Sequence, residues 1–192
     1  DFAYEDGRRP RQVAFENDPK QDVLRRDFTI NALLYDIEND TVIDFVNGKR
    51  DVFEGIVRAI GDPERRFGED HLRMLRAVRF AARLGFSIEP GTMAAIQKLH
   101  ASIGRVSAER VRDELTRILT EGGARRGLEL LEESRLLGDV LPEVRALREV
   151  EQPPEFHPEG DVWTHTLMML DGLRPPVTTE LAWGVLLHDI GK

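Results

Sequence analysis

The stretch GEDHLRMLRAVRF, residues 68–80, combines the apolar pattern of a core-facing helix with a row of charged side chains. Leu72 and Leu75 recur at helical spacing and Gly85 supplies a stop signal, so the pattern predicts one helix over residues 69–84. Charges on such a helix usually lie on its solvated face. The rest of the chain decides whether these charges have a further role.

Asp70 and Arg73 lie three residues apart, which places them on neighbouring turns of one helical face. They offer an acceptor beside a donor, which matches the amino group and the unprotonated ring nitrogen on the Watson–Crick edges of cytosine and adenine. Uracil and guanine present the inverse pair, and each polar group left unpaired in a buried site costs about 1–3 kcal/mol. The pattern fits base recognition, with Arg76 and Arg79 as triphosphate contacts, but it also fits an ordinary surface salt bridge.

The composition is that of a globular protein. With 192 residues, 41% of them hydrophobic and 32% charged, the chain is long enough for one sizeable core or two small ones. It has no cysteine and no apolar run of membrane-spanning length, so we expect a cytoplasmic protein without a membrane partner. The net charge of −8 resides in residues 127–192, which hold 5 basic and 13 acidic residues. An RNA partner is therefore expected to bind the neutral, arginine-rich first 126 residues in a salt-sensitive manner.

Local signals divide the chain into three parts and predict an α+β fold that is predominantly helical. Residues 1–60 alternate short apolar runs with turn residues, which indicates short strands and helices. Residues 61–150 have helical periodicity, and residues 151–192 begin with a proline-rich linker and continue as two apolar helices. After the helix over 69–84, the predicted helices span residues 90–99, 107–120, 124–133, 142–150, 162–170 and 179–187.

Four segments follow one another along the chain: RRDFTINALLYD (25–36), DFVNGKRDV (44–52), RAIGDPERRFGEDHLRMLRAVRFAARLGF (58–86) and VSAERVRDEL (106–115). Together they resemble the successive motifs of the class II tRNA nucleotidyltransferases, the CCA-adding enzymes, and of the related bacterial poly(A) polymerases. The resemblance implies the C-terminal part of a nucleotidyltransferase head in residues 1–60, an all-α neck and body in 61–150, and a linker with the start of an α-helical HD domain in 151–192.

The resemblance also implies roles for individual residues. In the RRD segment, Arg26 is implied as a nucleotide contact and Asp27 as a ribose contact, with Asn31 as a neighbour. Asp27 also has the character of an N-cap before a short helix. The EDxxR motif is implied to be the protein template that reads ATP and CTP through Asp70 and Arg73, in agreement with the hydrogen-bond argument. The DxxxGxxD motif is implied to be a springy hinge between head and neck, formed by Asp44, Gly48 and Asp51.

Two further features are expected to support the template without contacting substrate. Glu69 precedes the base-reading aspartate and is expected to orient Arg73 or to cap the helix. The SAERVRDEL segment is implied, by the same resemblance, to stabilise the helices beneath the template.

The catalytic metal site of such an enzyme is not expected in this chain. Nucleotidyl transfer needs carboxylates that hold metal ions, and the resemblance implies a D-x-D pair after a glycine-rich turn. Residues 1–60 contain neither D-x-D nor such a turn. We therefore predict no catalytic residue here, expect Mg²⁺ to be bound by residues outside this chain, and expect the chain alone to be inactive in nucleotide addition.

A second group of candidate ligands lies near the end of the chain. His165 falls on a predicted apolar helix, and His188 and Asp189 follow the next one. Imidazole and carboxylate together suit a divalent metal that activates water. The arrangement resembles the HD phosphohydrolase domain, whose pattern needs a further Asp beyond Lys192, so we expect an incomplete metal site that is empty or weakly occupied.

Three functions are compatible with these features. The leading hypothesis is an RNA 3′-end nucleotidyltransferase that acts on tRNA or another RNA and uses ATP, CTP or both. The alternatives are a metal-dependent HD phosphohydrolase with a degenerate nucleotide-binding head, and a non-catalytic nucleotide- or RNA-binding module. The intact RRD and EDxxR motifs favour the first. The sequence does not separate CCA-, CC-, A- and poly(A)-adding specificities, nor does it indicate an oligomeric state.

Overall fold

The computed structural model describes residues 4–5, 9–10, 18–151 and 160–191. Most of the predicted linker, residues 152–159, lies outside this described part of the chain. Helices predominate over short strands, which confirms the predominantly helical α+β fold.

Short elements make up the first part of the chain: β1 (Tyr4–Glu5), β2 (Arg9–Pro10), α1 (Pro19–Leu24), a 3₁₀ turn (Thr29–Asn31), β3 (Leu33–Asp36), β4 (Thr41–Asp44), α2 (Gly48–Glu54) and β5 (Ile56–Val57). Strands β1 and β2 pair antiparallel, as do β3 and β4, in which Leu33 lies opposite Asp44.

The middle of the chain is helical: α3 (Pro63–Glu69), α4 (Leu72–Leu84), β6 (Ser87–Ile88), α5 (Pro90–Leu99), a 3₁₀ segment (His100–Arg105), α6 (Ala108–Thr120), α7 (Ala124–Glu133), α8 (Leu137–Val140), α9 (Pro142–Ala146) and a 3₁₀ turn (Leu147–Glu149). Helix α4 is central, because it packs against both α6 and α7 and fully buries Met74, Leu75 and Val78. Strand β6 pairs in parallel with β5, so the two ends of the α3–α4 segment are held together.

The prediction of a single helix over residues 69–84 is wrong at its start. Helix α3 ends at Glu69, Asp70 adopts an extended conformation (φ −149°, ψ 105°), and α4 begins at Leu72. The Asp70 carboxylate accepts a hydrogen bond from the Leu72 N–H at 3.1 Å, which offers the backbone an alternative to a continuous helix. The predicted stop is correct: Gly85 has φ +67° and its N–H closes the last turn of α4.

The last two helices, α10 (Val162–Asp171) and α11 (Thr179–Leu187), are short and apolar. Helix α10 packs against α7 and α11 against α6, where the Trp183 indole N–H donates to the Thr116 hydroxyl at 3.0 Å. In residues 18–151 and 160–191, no helix has the length and apolar character needed to cross a bilayer.

Candidate functional site

Arg76 of helix α4 joins the helical middle of the chain to the RRD segment. Its Nε and Nη2 atoms donate to Oδ2 of Asp27 at 2.8 and 2.6 Å. The other carboxylate oxygen, Oδ1, accepts from the Asn31 side-chain amide at 3.0 Å and from the Phe28 N–H at 2.8 Å. The two sequence motifs, 49 residues apart, thus meet at one carboxylate.

The Asp27 carboxyl is held in its charged form. Burial raises its pKa, but the charge of Arg76 and hydrogen bonds from Asn31, Arg76 and the Phe28 N–H lower it by more, so the pKa lies below its usual value. Its expected N-cap role is wrong, because the following 3₁₀ turn has Phe28 at its N-cap position and no side-chain cap. The residue instead anchors Arg76.

Arg26 closes the same group from the side of α1. Its Nη1 atom donates to the Asn31 carbonyl at 2.8 Å, and its Nη2 atom lies 2.8 Å from a carboxylate oxygen of Asp22. The Arg26 side chain is 35% exposed. The structure therefore brings Arg26, Asp27, Asn31 and Arg76 together, as the sequence motifs suggested.

Arg73 lies at the break between α3 and α4. Its guanidinium donates to the Arg66 carbonyl at 3.3 Å and to the Glu69 carboxylate at 3.2 Å from Nη1, and to the Arg25 carbonyl at 3.5 Å from Nη2. Glu69 therefore contacts Arg73, and its role in orienting Arg73 or capping the helix stays a prediction. Burial raises the pKa of Glu69, but Arg66 and Arg73 lower it by more, so the pKa lies below its usual value and this carboxyl also stays charged.

Asp70 has different partners. Its Oδ1 accepts from the Leu72 N–H, and its Oδ2 lies 3.2 Å from Nη2 of Arg110 on α6. Within residues 18–151, Asp70 and Arg73 form no ion pair with each other, so the ordinary salt bridge between them is not present. Each charge is positioned separately, Asp70 by Leu72 and Arg110, and Arg73 by the partners described above.

Arg79 does not lie where a triphosphate can reach it. Its side chain is 2% exposed, its Nε lies 2.9 Å from a carboxylate oxygen of Glu114, and its Nη1 lies 3.5 Å from one of Glu121. The guanidinium also stacks 4.5 Å from the centre of the Phe80 ring. The expected phosphate contact is therefore corrected: Arg79 holds α4 against α6.

The hinge motif forms a tightly held junction. The Asp44 carboxylate accepts from the backbone N–H groups of Val46, Gly48 and Lys49 at 3.0–3.1 Å. A Cβ on Gly48 would lie 2.3 Å from the Thr29 carbonyl oxygen, so only glycine fits. The buried Asp51 carboxylate accepts from the Thr29 hydroxyl at 2.6 Å and from Arg58 Nε at 3.1 Å. Hinge motion at this junction stays a prediction.

The three candidate metal ligands meet between α10 and the end of α11. One ligand atom each from His165, His188 and Asp189 lies within 4.8 Å of the others, and the two imidazole rings are 5.4 Å apart. Nδ1 of His188 is 2.8 Å from the Val185 carbonyl oxygen, and its Nε2 is 3.2 Å from a carboxylate oxygen of Asp189. Two nitrogens and one oxygen suit a divalent transition metal with open positions.

Sequence reasoning missed two side chains that support the nucleotide-site candidates. Arg110 contacts Asp70, and Glu114 contacts Arg76 and Arg79. They lie four residues apart on α6 and so share one face. Both residues belong to the SAERVRDEL segment, which was expected to support the template helices, but their individual partners about 40 residues earlier in the chain were not predicted.

Comparison with known proteins identifies the same regions. Residues 1–58 match the family model described as the poly A polymerase head domain, and residues 85–147 match the probable RNA and SrmB-binding site of polymerase A. A CCA-adding enzyme of Pediococcus pentosaceus is 48% identical over 126 residues, 66% of this chain and 32% of that protein. One from Bacillus pumilus is 37% identical over 188 residues, 98% of this chain and 43% of that protein.

The fold agrees with a solved relative. The crystal structure of the Bacillus stearothermophilus CCA-adding enzyme in complex with CTP has a TM-score of 0.71 and 33% identity, covering 93% of this chain and 41% of that one. The chain spans about a third to a half of the length of the curated relatives that it matches. The two family models, the relatives and the shared fold show that this chain belongs to the class II tRNA nucleotidyltransferase family.

Proposed function

We propose that this chain is the nucleotide-selecting and RNA-holding part of an RNA 3′-end nucleotidyltransferase that transfers the nucleotidyl group of CTP, ATP or both to the 3′ end of tRNA, with release of pyrophosphate. The observation that carries the proposal is the meeting of the RRD and EDxxR motifs, through Arg76 with Asp27 at 2.6 Å and Arg73 with the Arg25 carbonyl. The family relatives named CCA-adding enzymes support it, as does the CTP complex of the Bacillus stearothermophilus enzyme.

In this proposal Asp70 and Arg73 read the base. Asp70 accepts a hydrogen bond from the exocyclic amino group of cytosine or adenine, and Arg73 donates to the adjacent ring nitrogen. A guanidinium has five N–H groups, and the three contacts of Arg73 described above leave donors for the base. Uracil and guanine would set carbonyl against carboxylate and N–H against guanidinium, which disfavours them.

The RRD segment and Arg76 hold the remainder of the nucleotide. Arg76 is 30% exposed and donates to Asp27 from Nε and Nη2, so we assign Nη1, which lies 3.8 Å from a carboxylate oxygen of Glu114, to the triphosphate. Arg26 and Asn31 form the neighbouring wall, and Asp27 acts on the ribose and as the anchor of Arg76. Arg79 is not proposed to contact the nucleotide, because its side chain is buried.

Mg²⁺ is proposed to act at carboxylates other than those of this site. Asp27, Glu69 and Asp70 each face at least one guanidinium, and such a donor set does not fit a dication.

We propose that residues 1–60 belong to the head, 61–150 to the neck and body, and 151–192 to the linker and an HD-type domain. Between the first two, Asp44, Gly48 and Asp51 are proposed as the hinge.

The test uses the full-length protein that contains this chain. Incubation of tRNA that lacks its terminal CCA, and of tRNA that ends in CC, with each labelled nucleotide is expected to show incorporation from CTP, ATP or both. Addition of UTP and GTP is expected to be at least about tenfold slower, because each mismatched base leaves polar groups unpaired. Absence of any addition, or equal use of all four nucleotides, would contradict the proposal.

A second candidate activity is favoured by the cluster of His165, His188 and Asp189. We propose that these three side chains are part of a divalent-metal site, which among the described residues still lacks the further Asp of the HD pattern and which, with metal bound, would supply the Lewis acidity that phosphoester hydrolysis requires. The hydrolase is proposed as an addition to the transferase and not in its place, since the RRD and EDxxR motifs are intact and in contact.

Metal binding is measured by calorimetric titration of the full-length protein with Mn²⁺ or Ni²⁺. Replacing His165 with alanine is expected to weaken binding at one site by about tenfold or more, because one of its ligands is lost. His100→Ala is the matched control, since its imidazole pairs with Asp139 outside the cluster. Equal affinity in wild type and in His165→Ala would remove the proposed site.

A further inference from the structure

The Asp70 carboxylate is held from two sides. The Leu72 N–H donates to Oδ1 at 3.1 Å. Nη2 of Arg110 donates to Oδ2 at 3.2 Å and lies 3.5 Å from Oδ1. One donor comes from the start of α4 and the other from α6, so the carboxylate lies between two helices.

Helix α6 is itself fixed relative to α4. Glu114, one turn beyond Arg110, lies 2.9 Å from Arg79 and 3.8 Å from Arg76, and its side chain is 7% exposed. This buried ion pair anchors the face of α6 that carries Arg110. The guanidinium of Arg110 therefore approaches Asp70 from a fixed backbone, although its side chain is 41% exposed.

We propose that Arg110 is a positioning residue that orients the Asp70 carboxylate and thereby sets the nucleotide specificity. This inference rests on the proposed function. The terminal torsion of an aspartate is broad, so the single hydrogen bond from Leu72 fixes one oxygen but leaves the carboxylate plane free to turn. The second donor, on Oδ2, fixes that plane.

Orientation by Arg110 leaves Asp70 able to read a base. A carboxylate offers about four lone-pair sites, and the two donors described here leave acceptor capacity for an exocyclic amino group. A carboxylate that can rotate accepts less well from cytosine or adenine, and it can also turn away from the carbonyl of uracil or guanine. Loss of Arg110 should therefore reduce discrimination, and not only binding.

The test compares Arg110→Ala, Arg110→Lys and Arg112→Ala in the full-length enzyme, with tRNA and each of the four nucleotides. In Arg110→Ala, the ratio of kcat/KM for CTP and ATP over that for UTP and GTP is expected to fall by about tenfold, the effect of one oriented hydrogen bond. KM for CTP and ATP should rise more than kcat falls. Arg110→Lys should restore part of the ratio, since an ammonium can donate to Oδ2.

Arg112→Ala controls for loss of an α6 charge, because Arg112 is 64% exposed and pairs with its own neighbour, Asp113. Its discrimination ratio should stay within about twofold of wild type, as for an exposed pair. An unchanged ratio in Arg110→Ala, or an equal fall in Arg112→Ala, overturns the inference. If Arg110→Ala does not fold, Arg110→Lys and Arg110→Gln provide the comparison. A wild-type enzyme that does not discriminate would instead contradict the proposed function.

Discussion

Replacement of Arg79 by alanine is expected to lower the free energy of unfolding by about 3–5 kcal/mol, because it leaves a buried carboxylate without its nearest cation. Glu114 lies 2.9 Å from Arg79, whereas its other cationic neighbours, Arg76 and Arg117, are 3.8 and 3.9 Å away. Burial lowers the pKa of Arg79 and the charge of Glu114 opposes this, so each group depends on the other. Urea denaturation of the full-length protein measures the loss.

The matched control for Arg79→Ala is Arg83→Ala on the same helix. Arg83 lies 3.1 Å from Glu121 but is 49% exposed, so its loss should cost about 1 kcal/mol or less. The double variant Arg79→Met with Glu114→Leu should regain most of the stability, because neither charge then remains buried. A cost for Arg79→Ala no larger than that for Arg83→Ala would show that the ion pair does not hold the two helices together.

Replacement of Arg73 by alanine is expected to reduce kcat/KM for CTP and ATP together by about 100-fold, while UTP and GTP remain poor substrates. The variant loses the donor to the ring nitrogen, and it also loses the link from the template to the Arg25 carbonyl. Both nucleotides share the amino group and ring nitrogen that Asp70 and Arg73 recognise, so kcat/KM should fall for both. Single-nucleotide addition to tRNA by the full-length enzyme provides the measurement.

Arg65→Ala controls for the change in charge near Glu69. Arg65 lies 3.3 Å from the Glu69 carboxylate but is 77% exposed, so its removal should change kcat/KM by no more than about twofold. Thermal unfolding of both variants separates a folding defect from a loss of base recognition. An Arg73→Ala enzyme with normal use of CTP and ATP would refute the assignment of Arg73 as the base-reading donor.

Local signals predicted several helices closely. The spans 90–99, 124–133 and 179–187 agree with the bounds of α5, α7 and α11, because a Pro at the first position, a Gly pair and a Thr N-cap mark their starts. The break at Asp70 was missed, since Leu72 and Leu75 keep helical periodicity across it. The apolar residues around an aspartate have the same spacing whether its side chain binds a nearby backbone N–H, as Asp70 does, or lies on a continuous helix, so the spacing could not predict the break.

The partners of the candidate site residues were harder to predict. Arg79 follows Leu75 by four residues and precedes Ala82 by three, so it shares their buried face, and this spacing did contain a signal for its burial. No spacing in the sequence predicted the contact of Arg73 with Arg25 or that of Asp70 with Arg110. They join residues 48 and 40 positions apart, and only the packing of α6 and α1 around α4 brings them together.

The parallel pairing of β5 with β6 has a consequence for protein engineering. Ile56 pairs with Ser87 and Val57 with Ile88, so the intervening segment leaves and returns to the body of the protein at one point. A chimera between relatives could therefore exchange residues 58–86 as a cassette, provided that the faces of α6 and α7 that pack against α4 match the new helix. Such a cassette would carry Asp70, Arg73 and Arg76 together, and its acceptor scaffold would have to supply the equivalents of Asp27 and Glu114.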